Sequence, residues 1–166
     1  EEAKSAAAEA RRAFAVGGSG GSRAVKLDEM KPGDCVRSVT GLGELDRVLG
    51  GGLVRGSVVL LTGEPGIGKS TLLLQISGIL GKTRRVLYVS GEESGDQLGL
   101  RAARLGVRSD GLYILTETNV DKILSEASRV KPDVMIIDSV QTMFTPYSAS
   151  SPGSVSQVRE SAMSFI

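Results

Sequence analysis

Histidine and tryptophan are absent from the sequence, and cysteine occurs once, at Cys35. A disulfide framework and a Cys/His zinc site are thereby excluded, as is acid–base catalysis by imidazole, so any proton transfer falls to Asp, Glu, Lys or Tyr. An excess of one charge is missing too: 20 basic residues face 19 acidic ones, for a net charge of +1, and affinity for a polyanion would need a local patch. No apolar run approaches the roughly 18 residues that announce a membrane span. The opening stretch EEAKSAAAEARRAF has no initiating Met and no apolar signal core, and its acidic residues argue against a transit peptide. The chain therefore reads as part, or as a processed product, of a longer protein. What is present is ordinary: 166 residues, 40% apolar and 23% charged, enough for one globular domain with its own core.

Composition divides the chain into residues 1–24, an Ala-rich segment followed by the Gly/Ser linker VGGSGGSR at Val16–Arg23, and residues 25–166, the expected folded core. Glu1–Phe14 has helical composition. Within the core, four short runs read as buried strands: Ser57–Gly63, Arg85–Gly91, Leu112–Leu115 and Asp133–Ser139. Helical patterns at Lys69–Leu80, Asp96–Leu105 and Val120–Val130 separate them. A shorter helix, Leu42–Leu49, is announced by Thr40 and stopped by Gly50–Gly52. Alternating strands and helices predict an α/β fold with a mostly parallel sheet, helices on both faces, and ligands at the carboxyl ends of the strands. The Ser- and Pro-rich stretch Thr142–Gln157 predicts a surface loop before a last helical piece.

Between the first strand and its helix lies TGEPGIGKST, Thr62–Thr71. A plain strand-to-helix turn would use these glycines, but the stretch also fits G-x-x-x-x-G-K-[ST] in its required context. Gly63, Glu64, Pro65, Gly66, Ile67 and Gly68 would wrap backbone N–H groups around the phosphates of ATP, because bulkier residues would block that approach. Lys69 would reach the β- and γ-phosphates, Ser70 would hold Mg²⁺, and Thr71 would sit near the α-phosphate, at a helix end that already favours anions. In DVMIIDS, Asp138 ends a strand where a Walker-B aspartate holds Mg²⁺, whereas Asp133 sits at the opposite edge. In VLYVSGEES, Glu92 and Glu93 follow the strand that comes after the P-loop helix, at the same carboxyl edge, where a carboxylate can activate water. Glu92 is the favoured base, with Glu93 in support or as its replacement. Gln141 reads either as a γ-phosphate sensor or as a polar residue leaving a strand, and Ser139 is equally open. Phe144 and Tyr147 offer rings for base stacking or for packing. Arg101, Arg104 and Arg108 read as a solvated face, with DNA or a neighbouring subunit as the alternative.

Taken together, TGLGELDRVLGGGLVRGSVVLLTGEPGIGKSTLLLQI, VLYVSGEES, PDVMIIDSVQT and SPGSVSQVRE resemble the RecA-type ATPase core of the bacterial-type RadA (Sms) family. The likeness runs from about Thr40 to Glu160. It implies a RecA-like P-loop NTPase core; the family's four-cysteine zinc finger, Lys-Asn-Arg-Phe-Gly motif and Lon-protease-like domain do not occur in this sequence. Glu64 stands where the family's P-loop usually has Asp, and the tail SAMSFI resembles the family less than SVSQVRE does. The sheet is accordingly expected to be incomplete at its carboxyl-terminal side.

The resemblance implies an ATP-hydrolysing DNA repair and recombination motor that acts on single-stranded or branched DNA and extends branches. It further implies a homo-oligomer, hexameric in the family, a possible recombinase partner and no membrane association. A bacterial source would place it in the cytoplasm; a plant or algal source, in the chloroplast or mitochondrion. Two other readings stay open: a non-catalytic module in which ATP orders the Thr142–Ser156 loop for a partner, and a KaiC-like or DnaB-like RecA-type ATPase.

Overall fold

The computed structural model describes residues 26–29, 37–146 and 154–166. Cys35, Tyr147, the expected helix at Glu1–Phe14 and the linker at Val16–Arg23 lie outside the described residues. The chain divides into two compact units that meet at Ser57 and Val58.

In the first unit, β1 (Arg37–Ser38) pairs antiparallel with β2 (Leu53–Val54), and α1 (Gly43–Val48) lies between them in sequence. Thr40 does not cap α1 as the sequence predicts. The N-cap residue is Leu42, without a side-chain cap. Asp46 reaches back instead, its carboxylate accepting from the N–H groups of Thr40 (2.8 Å) and Gly41 (3.2 Å). The Thr40 N–H bond chiefly holds the Asp46 carboxyl below its ordinary range. The Thr40 hydroxyl accepts instead from the Leu42 N–H at 3.3 Å, ahead of the helix.

The second unit contains α2 (Lys69–Leu80), β3 (Val86–Ser90), α3 (Gly95–Arg104), β4 (Leu112–Thr116), α4 (Val120–Val130), β5 (Val134–Asp138) and α5 (Val155–Ser164). The three strands form one parallel sheet in the order β4-β3-β5. All five residues of the central strand β3 are buried, as expected of a parallel strand covered on both faces. Period-two alternation sorts its side chains. Leu87 and Val89 join Val120, Ile123 and Ala127 of α4, while Tyr88 joins Leu74 of α2 and Leu98 of α3. The sheet thus carries helices on both faces. Local chemistry starts these helices: Ser94 and Gln97 form a capping box at α3, and the Asn119 side chain accepts from the Asp121 and Lys122 N–H groups at α4. α5 is held by Ser161 Oγ, which donates to the Met143 carbonyl at 3.1 Å, by Gln157 Nε2 on the same carbonyl, and by Phe165 against the α4-side cluster.

The expected first strand departs from the sequence reading. Residues 57–63 form no strand, and Val58, Val59, Leu60 and Leu61 are exposed to 65, 49, 78 and 36%. An extended run becomes a strand only when a neighbour takes its N–H and C=O groups, and among the described residues no strand lies alongside this one. Apolar β-propensity alone does not supply that ladder.

The connection from α2 to the amino edge of the sheet is tight. Gly111 N donates to Gly81 O, and Val86 N to Gly111 O. A methyl group on Gly111 would lie 2.3 Å from the Arg84 carbonyl oxygen and 2.4 Å from that of Gly81. Gly111→Ala is therefore expected to cost about 1–3 kcal/mol or more by overpacking, read as a lower denaturation midpoint in urea. An unchanged midpoint would contradict this packing.

Candidate functional site

α2 ends at Leu80 and β3 begins at Val86, so the carboxyl end of the helix lies at the amino edge of the sheet. The helix has 12 residues and the strand five, lengths of about 18 and 17 Å. Since α2 runs antiparallel to β3 while packing on it, its first residue, Lys69, is carried to the level of the strands' carboxyl ends.

The loop before Lys69 is open. Residues 61–68 are exposed, and Gly66 and Gly68 adopt φ of +79° and +102°, a region that side-chain-bearing residues rarely enter. Lys69 Nζ donates to the carbonyls of Gly63 and Glu64, both at 2.8 Å, so the ammonium closes the loop on itself. The backbone N–H groups of Lys69, Ser70 and Thr71 have no acceptor among the described residues, nor does the Ser70 hydroxyl. First-turn donors of a helix remain available to an anion in this way.

The register of β3 against β5 pairs Ser90 with Asp138, and Gly91 N donates to Asp138 O at 3.0 Å. The peptide bond between Asp138 and Ser139 is cis. Beyond the ladder, Ser139 Oγ donates to Glu92 Oε1 at 2.8 Å. Glu93, the other candidate base, accepts instead from Arg101 Nη2 of α3 at 2.6 Å, with both side chains about three-quarters buried. Its own N–H donates to Ser90 Oγ. The neighbouring glutamates are therefore held by different partners: Glu92 by the residue after Asp138, Glu93 by a helix cation.

Asp138 has a partner of its own. Tyr88 is fully buried among Leu74 and Leu98, and its hydroxyl donates to Asp138 Oδ2 at 2.5 Å. Burial, and then the Asp138 carboxylate, push the Tyr88 phenol well above its ordinary range, so it stays a donor. Gln141 is exposed in a short 3-10 turn, Val140–Thr142. Phe144 is 39% exposed and forms a bridge with Asn119. Asp133 accepts from Arg85 N at the opposite edge.

Residues 30–161 match a family model described as an AAA domain. The chain belongs to this family. It is 56% identical over 124 residues to the DNA repair protein RadA of Aquifex aeolicus, covering 75% of the chain and 28% of that protein. Its similarity to RadA of Halalkalibacterium halodurans is 47% over 167 residues, covering 100% of the chain and 36% of the relative. To RadA of Pseudomonas aeruginosa it is 53% over 136 residues, 82% of the chain and 30% of the relative. The chain thus spans about a third of the length of the curated relatives it matches, and the resemblance to the RadA (Sms) ATPase core read from its motifs holds over most of it.

Membership of a P-loop ATPase family implies use of a nucleotide and Mg²⁺. Among the described residues no group of three or more Asp, Glu, Cys or His side chains is arranged to cage a metal. Mg²⁺ ordinarily takes one or two protein oxygens and shares the rest of its shell with phosphates and water. A hydroxyl and a single carboxylate, Ser70 and Asp138, fit such a shell.

Two contacts escaped the sequence reading. Arg101 reads as part of a solvated stripe with Arg104 and Arg108, yet it is the partner of Glu93, which only the packing of α3 against the sheet brings within reach. Tyr88 reads as core; its signal is a lone phenol in an aliphatic strand, on the same sheet face as a strand-end Asp. Breaking the Glu93–Arg101 pair from the cationic side leaves a mostly buried carboxylate without its charge-assisted bond. Arg101→Ala is expected to lower stability by about 1.5–3 kcal/mol, measured by thermal or urea unfolding, with a smaller loss in Arg101→Ala/Glu93→Gln. Equal losses in the single and double variants would show that the pair is not what holds the segment.

Proposed function

We propose that the chain is the ATP-binding and ATP-hydrolysing core of a RadA-type DNA repair ATPase that works on single-stranded or branched DNA. The observation that carries the hydrolytic part is the Ser139–Glu92 hydrogen bond, which ties the favoured base to the residue next to the favoured metal ligand. In this reading the backbone from Gly63 to Gly68 and the first turn of α2 bind the phosphates, and Lys69 moves from its loop carbonyls to the β- and γ-phosphates. Ser70 and Asp138 hold Mg²⁺, which when bound would offset charge building up on the phosphate oxygens. Glu92 orients the attacking water and takes its proton at the carboxylate. Glu93 supports the strand end through Arg101 and is not the base.

The resemblance further supports action as a homo-oligomeric ring that extends branches during recombination, with a recombinase as a possible partner. Among the described residues no helix is long and apolar enough to cross a membrane. The expected compartment is the cytoplasm in a bacterial source and an organelle in a plant or algal one.

The test is ATP turnover with and without single-stranded DNA, alongside nucleotide affinity by calorimetry. Glu92→Gln is expected to reduce turnover by about 10²–10⁴-fold, the scale of a lost general base, while ATP affinity stays near the wild-type value. Glu93→Gln should retain most of the turnover, and Lys69→Ala should weaken ATP binding. No turnover in a wild-type chain that still binds ATP would instead favour a nucleotide-ordered interaction module.

A further inference from the structure

The centre of β3 buries a polar atom where an apolar one would pack as well. Tyr88 is surrounded by Leu74 and Leu98, with Leu73, Ala102, Leu105 and Ile136 around them; a phenylalanine ring fits the same space. A buried phenol normally finds a partner, and this one takes a side-chain carboxylate: Oδ2 of Asp138, two residues beyond its own cross-strand partner Ile136. Parity puts Tyr88, Ile136 and Asp138 on the face that carries α2 and α3, and the length of the tyrosine side chain spans the step along the strand. Glu93 and Arg101 also bear on the phenol electrostatically.

We propose that Tyr88 is a positioning residue for the metal-binding carboxylate: by donating to Oδ2 it fixes the rotamer of Asp138 and leaves Oδ1 for the Mg²⁺ shell. The inference rests on the reading of Asp138 as the Mg²⁺ residue and deepens it. An ionised carboxylate offers about four lone-pair positions, so one O–H bond does not exhaust it. Two effects oppose each other. The donated hydrogen bond draws some charge from the carboxylate and weakens it as a ligand, whereas holding the side chain in one orientation removes an ordering cost from metal binding. Orientation wins in metal sites generally, where loss of an outer-shell partner lowers affinity about 10–100-fold. The alternative is a plug, in which the hydroxyl competes with the cation and its removal tightens binding. The two have opposite signs.

The experiment is an electron paramagnetic resonance titration with Mn²⁺ in the presence of a non-hydrolysable ATP analogue, on the full chain. Tyr88→Phe is expected to raise the apparent Mn²⁺ dissociation constant about tenfold, the low end of that range, and to add nothing when combined with Asp138→Asn. Leu98→Val loosens the same cluster without touching the hydroxyl; it should lower the thermal midpoint and leave Mn²⁺ affinity unchanged. Unchanged or tighter Mn²⁺ binding in Tyr88→Phe, or a parallel loss in Leu98→Val, would overturn the positioning role. Wild-type Mn²⁺ affinity in Asp138→Asn would overturn the Asp138 reading, and this inference with it.

Discussion

The parallel register between β3 and β5 is the constraint on which the candidate site depends. Pairing Ser90 with Asp138 makes the two strands end together, so that the segments after them, Gly91–Glu93 and Ser139, leave the sheet side by side. A slip of one residue would turn Asp138 to the α4 face and break the contact with Tyr88. The register is in turn set by burial on both sides: Leu87 and Val89 must face α4, and Tyr88 must face α2 and α3, for the two clusters to close. Core packing and site geometry are the same arrangement seen from two ends of the strand.

That arrangement also explains why adjacent glutamates differ. Successive residues leaving a strand diverge, so Glu92 meets Ser139 from the neighbouring strand while Glu93 meets Arg101 from the helix that follows. A charge-assisted pair that is mostly buried commits Glu93 to holding α3 against the strand end. Glu92, exposed and bound among the described residues only through a neutral hydroxyl, keeps a carboxylate oxygen for other work.

Much of the fold was legible in the sequence because its strands and helices carry strong local signals. The helices at 69–80 and 120–130 coincide with their patterns, and the sheet is parallel with helices on both faces. Residues 57–63 were misread because apolar, β-branched composition reports what a residue prefers once paired, not whether a partner strand is present. The expected cap at Thr40 does not form because its N–H donates to Asp46, six residues on, and its hydroxyl accepts from Leu42 N, ahead of the helix. At the site, residues at strand ends could be placed on one edge from topology alone. Which of them touch could not, since Tyr88–Asp138 and Arg101–Glu93 are fixed by side-chain packing across 50 and eight positions of sequence respectively.

The central claim is that the P-loop, the end of β3 and the end of β5 form one ligand site. Hydrogen–deuterium exchange of the full chain with and without Mg²⁺ and a non-hydrolysable ATP analogue tests it directly. The account predicts slower exchange together at Gly66–Thr71, at Gly91–Glu93 and at Ser139, with no change at the opposite edge around Lys82–Arg85. Protection confined to the loop, or absent from all three segments, would contradict it.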